Sequence, residues 1–347
     1  MEEKGDFILK VEGLSVSFAT TAGRVHALRN VDFAVRRGET VAIVGESGSG
    51  KSVTVKTAIG ILDTNGKVEA GKALFTFKND KGEEETIDLL KLTKKQMRQT
   101  INGKRIAMVF QDPMTSLNPT MTIGDQIMEG MIWHFKTPKK EAWKRAVELL
   151  DMVGITDPEK RMKNYPHQLS GGMRQRVVIA IALSCNPDLL ICDEPTTALD
   201  VTIQAKILEL IKEVQQKLGI SVIYITHDLG VVAKVADFVN IMYAGKIGEK
   251  GRVDEVYYDP RHPYTWGLLS ALPDLETHEK DSIQSPEARP TFFTKSKATH
   301  LHRVMNSHLK STKSKSRPCS GFPTPTVQQP GFLMTTLRKS KCRRNCA

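Results

Sequence analysis

The sequence predicts an α/β fold in which a parallel sheet forms the core, with an antiparallel β layer and a helical subdomain attached to it. Three observations support this prediction. The chain opens with two runs of alternating apolar residues, FILKVEGLSVSF and VHALRNVDFAV, which are typical of antiparallel strands. Continuous apolar runs then alternate with helical periodicity, which indicates buried parallel strands joined by helices. The stretch from about 121 to 187 has little strand character, so we expect a helical insertion there.

The first buried strand is predicted at 40–44, where the run TVAIV is followed by a Gly-rich turn and a helix from about Lys51 to Leu62. Further buried strands are predicted at 105–110, 189–192 and 221–226, each followed by a loop and helical periodicity. No internal repeat is visible. The sequence therefore predicts one copy of this unit, over residues 7–276.

Composition restricts the possible partners. The chain has 347 residues, of which 40% are hydrophobic, enough to bury a sizeable core. Its net charge is +11, but residues from Thr277 onward hold 14 Lys and Arg against 3 Asp and Glu. The rest of the chain balances at 36 against 36, so its surface does not suggest a nucleic-acid partner.

Two further features predict a cytosolic protein. No apolar run reaches the roughly 18–20 residues that span a bilayer, and the acidic, polar opening MEEKGDFILK differs from a signal peptide. The five cysteines are odd in number and lack a disulfide framework. Cys185 and Cys192 lie in apolar stretches, so we expect them in the core.

The strongest motif is GESGSGKS at 45–52, between a predicted buried strand and a predicted helix. This is the context of a phosphate-binding P-loop, in which backbone amides and the helix N-terminus surround phosphates. Lys51 is expected to reach the β- and γ-phosphates, and Ser52 to ligate Mg²⁺. The predicted nucleotide-binding residues of this segment are Gly45, Glu46, Ser47, Gly48, Ser49, Gly50, Lys51, Ser52 and Val53.

A second motif, LLICDEP at 189–195, is a buried strand that ends in two carboxylates. Paired with a P-loop, such a strand can direct one acid to the metal and one to water. We therefore expect Asp193 to hold Mg²⁺ and Glu194 to be the base that polarises the attacking water. Without the P-loop, a helix-capping role would be the better interpretation.

A third motif, LSGGMRQR at 169–176, resembles the signature of ATP-binding-cassette (ABC) ATPases. Ser170, Gly171 and Gly172 begin a predicted helix, so their amides and hydroxyl form a second anion site. The resemblance implies that this signature closes on the ATP of a partner subunit. As an isolated string, SGG is more often a cap or a turn.

Further residues match the order of elements in that family, and the resemblance implies a role for each. Gln111 in VFQDP is similar to the Q-loop residue that senses Mg²⁺ and contacts the membrane subunits. Asp200 in TTALD is similar to the D-loop residue that links the two nucleotide sites. His227 in YITHD is similar to the switch histidine at the γ-phosphate. Phe18 resembles the aromatic residue that stacks on adenine, although an aromatic in a strand is more often core.

Two stretches narrow the resemblance. MTSLNPTMTIGDQIMEG at 114–130 and DPRHPYTWGLLSALP at 259–273 resemble the oligopeptide and dipeptide importers, and TSLNP resembles their D-type ATPase. The resemblance covers residues 7 to about 283. It implies ATP and Mg²⁺ as ligands, a heterodimer with a distinct, homologous F-type ATPase, two membrane permeases and, indirectly, an extracytoplasmic peptide-binding protein. It places the chain on the cytoplasmic face of the membrane.

Alternative functions remain open at this point. A soluble cassette ATPase acting on ribosomes or DNA usually carries two cassettes or a long coiled coil, and neither is visible here. A non-catalytic regulatory subunit would not need Lys51, Asp193, Glu194 and His227 together. Related importers of nickel or another cargo share the same motifs.

The predicted C-terminal tail covers 277–347, and from about 284 it departs from the family. Residues 288–347 contain no Asp or Glu, and periodicity is lost, so we expect no packed core there. Codons can be chosen so that a displaced reading frame over 286–293, 297–311 and 321–327 encodes segments similar to the family tail. We therefore predict a frame change near Ile283–Ser285.

Two other interpretations of the tail stay open. It could be a genuine basic arm, for which the relevant residues are Lys339, Lys341, Arg343 and Arg344. It could also contribute to a metal site, for which the relevant residues are Cys319, Cys342 and Cys346, although their spacing fits no defined pattern.

Overall fold

A computed structural model of the chain describes residues 7–21, 23–79, 81–196 and 200–270. The predictions for the tail from 277 to 347, including the frame change and the cysteine cluster, lie outside these residues. The strands are β1 (Phe7–Thr20), β2 (Gly23–Arg36), β3 (Thr40–Val44), β4 (Gly66–Lys78), β5 (Glu84–Asp88), β6 (Ile106–Val109), β7 (Leu189–Asp193), β8 (Ser221–Thr226), β9 (Phe238–Tyr243) and β10 (Lys246–Arg252).

Helices alternate with these strands. They are α1 (Lys51–Ala58), α2 (Lys94–Gln96), α3 (Pro113–Ser116), α4 (Ile123–Phe135), α5 (Lys139–Met152), α6 (Pro158–Arg161), α7 (Gly171–Leu183), α8 (Val201–Leu218), α9 (Leu229–Val235), α10 (Val253–Tyr258) and α11 (Pro263–Ser270). The stretch predicted as a helical insertion contains α4 to α7. In the part of the chain that the structure describes, no helix combines the length and the apolar character of a membrane span.

The strands form two sheets. One has the order β10-β9-β3-β8-β7-β6, in which β9, β3, β8, β7 and β6 run parallel and β10 pairs antiparallel with β9. The other is antiparallel, with the order β2-β1-β4-β5. The fold class predicted from the sequence is confirmed. The sequence patterns did not predict β4, β5, β9 and β10.

Two apolar clusters cover the two faces of the parallel sheet. Val41, Ile43 and Ile191 point to the antiparallel sheet and pack with the residues of β1 and β2. Ala42 and Leu190 point to the opposite face and pack against the helices. This alternation places the side chains of Val41 to Val44 in apolar surroundings, which explains why β3 is apolar at each position after Thr40.

One helix is shorter than its pattern predicts. The sequence predicts a helix to about Leu62, but α1 ends at Ala58. Gly60 has φ 70°, in the left-handed region, and the amide of Ile61 donates to Lys56 O at 2.9 Å. The glycine therefore terminates the helix in the manner of a C-terminal cap, although the apolar periodicity continues beyond it. Cys185 and Cys192 are buried, as predicted.

Candidate functional site

The loop Gly45–Gly50 joins the end of β3 to the start of α1. Gly45 is packed so closely that a Cβ there would lie 2.1 Å from Met242 O and 2.8 Å from Ser49 Oγ. Gly50, the N-cap of α1, has φ 105°, which a residue with a side chain rarely adopts. The loop therefore depends on glycine at both ends, and its curved backbone precedes the positive end of a helix.

Polar groups in this loop are available for an anion. The first hydrogen bond of α1 runs from Thr54 N to Gly50 O at 2.9 Å. The amides of Lys51, Ser52 and Val53 lie before it and therefore have no acceptor within the helix. The hydroxyl of Ser49 is buried and has no hydrogen-bond partner among the described residues. These features fit a phosphate group, because phosphate oxygens accept hydrogen bonds from such donors.

Lys51 is folded into the loop. Its side chain is 6% exposed, and Nζ donates to Gly45 O at 2.7 Å and to Glu46 O at 2.9 Å. Burial lowers the pKa of Lys51, whereas the charges of Glu194, Asp193 and Glu46 raise it. The ammonium therefore lies at the centre of the loop, held by carbonyl groups.

Ser52 and Asp193 are brought together from elements far apart in sequence. Ser52 Oγ donates to Asp193 Oδ1 at 2.8 Å, which joins the first turn of α1 to the end of β7. Burial raises the pKa of Asp193, and the neighbouring Glu194 also raises it. The hydrogen bond from Ser52 and the charges of Lys56 and Lys51 act in the opposite direction.

The Ser52 and Asp193 oxygens fit a hard divalent cation. Mg²⁺ is usually bound through one or two carboxylates together with substrate phosphates and water. Within the described ranges, no group of three or more His, Cys, Asp and Glu is arranged to hold a metal by itself.

Glu194 lies beside this pair, at the start of the loop after β7. Its backbone has φ 46°, in the left-handed region, and its amide donates to Ile225 O at 2.9 Å on the neighbouring strand β8. Gln111 Nε2 donates to Glu194 Oε2 at 3.0 Å, and His227 Nδ1 lies 3.2 Å from Glu194 Oε1. Gln111 and His227 therefore both contact the carboxylate of Glu194. The three predicted residues follow the ends of three parallel strands.

The unfavourable backbone of Glu194 is held by this strand pairing. A left-handed non-glycine residue costs of the order of 1–3 kcal/mol and persists where the surroundings fix it. Here the bond to Ile225 O sets the direction in which the side chain leaves the sheet. The carboxylate oxygens are then directed to Gln111 and His227.

The signature residues lie apart from that cluster. Ser170 is the N-cap of α7, and its Oγ accepts from Met173 N at 3.4 Å. Gly171 and Gly172 form the first turn, and a Cβ at Gly172 would lie 2.9 Å from Ile203 Cγ2. Among the described residues, no hydrogen bond or ion pair joins 170–172 to the loop at 45–52.

Asp200 and Phe18 have local contacts. Asp200 is the N-cap of α8, where its Oδ1 accepts from Ile203 N at 2.9 Å. Phe18 pairs with Val25 on one side and with Gly66 on the other, and its half-buried ring packs on the apolar cluster beneath the antiparallel sheet. The predicted roles of Asp200 between two sites and of Phe18 toward adenine stay predictions.

Sequence reasoning missed two contacts to the loop. Glu46 N donates to Tyr264 Oη at 3.0 Å, and Gly245 N donates to Ser49 O at 2.9 Å. Tyr264 belongs to the HPYT string, which served only as a mark of the subfamily. Tyr264 and Glu46 are 218 positions apart, so no local sequence pattern connects Tyr264 with the P-loop.

Comparison with known proteins identifies two families in the chain. The ABC transporter family matches residues 28–197, and the family described as the C-terminal region of oligopeptide/dipeptide transporters matches residues 249–297. The second match extends past the frame change predicted near residue 284, whose position stays a prediction.

Several curated proteins are similar over most of their length. The oligopeptide transport ATP-binding protein OppD of Bacillus subtilis is 55% identical over 288 residues, which cover 83% of this chain and 78% of that protein. The dipeptide transport ATP-binding protein DppD of Lactococcus lactis is 51% identical over 290 residues, covering 83% and 79%.

Solved structures show the same fold. The dimeric ATP-binding cassette MJ0796 bound to ADP and Pi has a TM-score of 0.60 at 28% identity, covering 71% of this chain and 98% of that one. The cbiO1 protein of Clostridium perfringens has a TM-score of 0.60 at 34% identity, covering 73% and 92%. The chain therefore belongs to the ABC transporter family, as one of its ATP-hydrolysing, ATP-binding subunits.

Proposed function

We propose that this chain drives the import of oligopeptides or dipeptides, by hydrolysing ATP on the cytoplasmic face of a membrane transporter. The observation that carries the proposal is the 55% identity to an oligopeptide transport ATP-binding protein over 288 residues. The match of residues 249–297 to the C-terminal region of peptide transporters supports the same cargo.

The P-loop and α1 would bind the phosphates of ATP. Amides at the start of α1 would donate to phosphate oxygens, and Lys51 would turn from the carbonyls of Gly45 and Glu46 toward the β- and γ-phosphates. Ser52 and Asp193 would hold Mg²⁺. The cation would neutralise charge on the phosphates when bound. Phe18 would stack on the adenine.

Hydrolysis would depend on Glu194. Its carboxylate would accept a proton from the attacking water, and the buried end of β7 would fix its direction. His227 would contact the γ-phosphate, and its bond to Glu194 would couple that contact to the base. Gln111 would leave its hydrogen bond with Glu194 and contact Mg²⁺ instead. It would also connect the site to a membrane subunit.

This chain and a second, homologous ATPase would form the complete enzyme as a heterodimer. Ser170, Gly171 and Gly172 would donate to the ATP of a second, homologous ATPase, and Asp200 would link the two sites. The dimeric ABC cassettes of known structure support this arrangement. Two permeases would carry the peptide, and an extracytoplasmic binding protein would deliver it.

The test is uptake by cells that lack this gene. Deletion should abolish the uptake of labelled tri- to pentapeptides or of dipeptides, and nickel uptake should remain. The full chain should restore peptide uptake, and the matched Glu194→Gln variant should not. Loss of nickel uptake with peptide uptake intact would overturn the proposed cargo.

A further inference from the structure

A short segment after β10 is held in place by one carboxylate. Glu249 on β10 accepts from the backbone amides of Arg261 at 2.7 Å and His262 at 3.1 Å, and from the hydroxyl of Thr265. His262 Nδ1 accepts from Tyr264 N at 3.1 Å. These bonds fix the start of α11, because four donors around its first turn have defined acceptors.

This segment directs Tyr264 at the P-loop. The Tyr264 ring packs against Tyr243 with centroids 4.5 Å apart, and its hydroxyl accepts from Glu46 N at 3.0 Å. Burial raises the pKa of Tyr264, so the hydroxyl keeps its proton at neutral pH. The acceptor is therefore a neutral hydroxyl oxygen.

The bond acts on a single peptide group. The Gly45–Glu46 peptide has Glu46 N–H at one edge and Gly45 C=O at the other, because the unit is planar and trans. The Tyr264 hydroxyl accepts from Glu46 N–H, and Lys51 Nζ donates to Gly45 O at 2.7 Å. Gly45 also lies so close to Met242 O that a Cβ would not fit. The three contacts leave this peptide one orientation.

We propose that Tyr264 is a positioning residue for the P-loop. Its hydroxyl holds the Gly45–Glu46 peptide in the orientation in which the loop binds phosphate. The inference rests on the proposed binding of nucleotide at residues 45–52. When Lys51 turns to the phosphates, Gly45 O loses its donor, and Tyr264 becomes the remaining side chain that orients this peptide. Holding the loop before nucleotide arrives lowers the ordering cost of binding.

The segment thereby gives the C-terminal part of the ATPase a direct effect on nucleotide affinity. A displacement of α11 would remove the acceptor from Glu46 N without touching Glu194, Gln111 or His227. Nucleotide binding should respond, and the hydrolytic step should not.

The experiment compares two variants that each lose one phenolic hydroxyl. Tyr264→Phe removes the acceptor of Glu46 N and keeps the ring. Tyr243→Phe is the matched control, because the Tyr243 hydroxyl makes no hydrogen bond among the described residues. Binding of a fluorescent ADP analogue and steady-state ATP hydrolysis are measured on the full chain.

We expect Tyr264→Phe to bind the analogue about 3–10-fold more weakly, the range expected for one lost hydrogen bond. KM for ATP should rise by a similar factor, and kcat should stay within about twofold of wild type. Tyr243→Phe should match wild type in all three. Glu249→Gln, which weakens the hold on α11 from the other side, should shift KM in the same direction.

Three results would overturn the proposal. They are unchanged affinity in Tyr264→Phe, an equal loss in Tyr243→Phe, or a fall in kcat at constant KM. A lowered melting temperature of the nucleotide-free Tyr264→Phe variant would show that this variant is misfolded. The KM of Glu249→Gln then tests the proposal in its place. If wild type does not bind the analogue, or Lys51→Ala binds it equally well, the nucleotide site itself is wrong.

Discussion

The two regions of this chain that are predicted to bind anions are built differently. At the P-loop, Lys51 is buried and bonded to loop carbonyls, Ser52 is bonded to Asp193, and Glu194 is bonded to Gln111 and His227. At the signature, Ser170 is exposed, and its hydroxyl accepts from Met173 N within its own helix. The first region has its predicted catalytic groups in contact with one another. The second presents a helix N-terminus to the surface, as expected if its ligand is bound by another subunit.

The largest expected effect concerns the first region. Glu194→Gln should keep ATP binding and lower turnover by roughly 100-fold or more, because it removes the base and retains the size of the side chain. Ser52, Asp193 and Lys51 are unchanged in this variant. Turnover and nucleotide binding are measured together, and an ATP-bound dimer should accumulate. Turnover at the wild-type rate would show that Glu194 is not the base.

The second effect concerns the signature. Ser170→Arg should lower turnover by about tenfold or more and leave nucleotide affinity of the isolated chain within about twofold, because the residue is proposed to face a partner's ATP. Gel filtration with ATP should show loss of the dimer. A collapse of nucleotide binding by the isolated chain would mean that both regions serve one nucleotide.

A smaller effect separates two roles of Asp200. Its carboxylate caps α8, so Asp200→Ala should lower the free energy of unfolding by about 1 kcal/mol, whereas Asp200→Asn should retain most of the cap. Urea unfolding measures both. If Asp200→Asn keeps stability but loses turnover, the carboxylate acts beyond its own helix.

The smallest effect is a pH-dependent change in stability. Burial raises the native pKa of Asp193 above its ordinary value of 3.8, so its contribution to stability is full below that pH and is lost as pH rises through the native pKa. Asp193→Asn should therefore be more stable than wild type at pH 7 and lose this advantage as the pH falls toward 4. Urea titrations without nucleotide from pH 4 to 8 test this. An advantage that is constant with pH would contradict the burial of the charge.

Contiguous motifs were predictable, and contacts between distant segments were not. TVAIV followed by GESGSGKS specified β3, the loop and the start of α1, because each feature lies within a few residues. The meeting of Gln111, Glu194 and His227 was implied in part, since each follows a buried strand of the same sheet and parallel strands end at one edge.

Other features could not be seen in local patterns. β9 was missed because the polar Asn240 interrupts its apolar run, and β10 because its sequence KIGEKGR is mostly polar and Gly-rich. The left-handed backbone of Glu194 and the contact between Tyr264 and Glu46 depend on tertiary packing. Within the part of the chain that the structure describes, the signature makes no hydrogen bond or ion pair to the P-loop, which agrees with the proposal that its ligand belongs to another chain.

The central place of β3 affects how the chain can fold during synthesis. β3 pairs with β8 on one edge and with β9 on the other, and both strands are made long after it. At about 5–20 residues per second, roughly 10–40 s separate Val44 from Tyr243 on the ribosome. During that interval an apolar strand with two unpaired edges is exposed to aggregation. A nascent chain of this family should therefore need protection until β9 emerges, and its P-loop can reach the packing described above only after Met242 has been made.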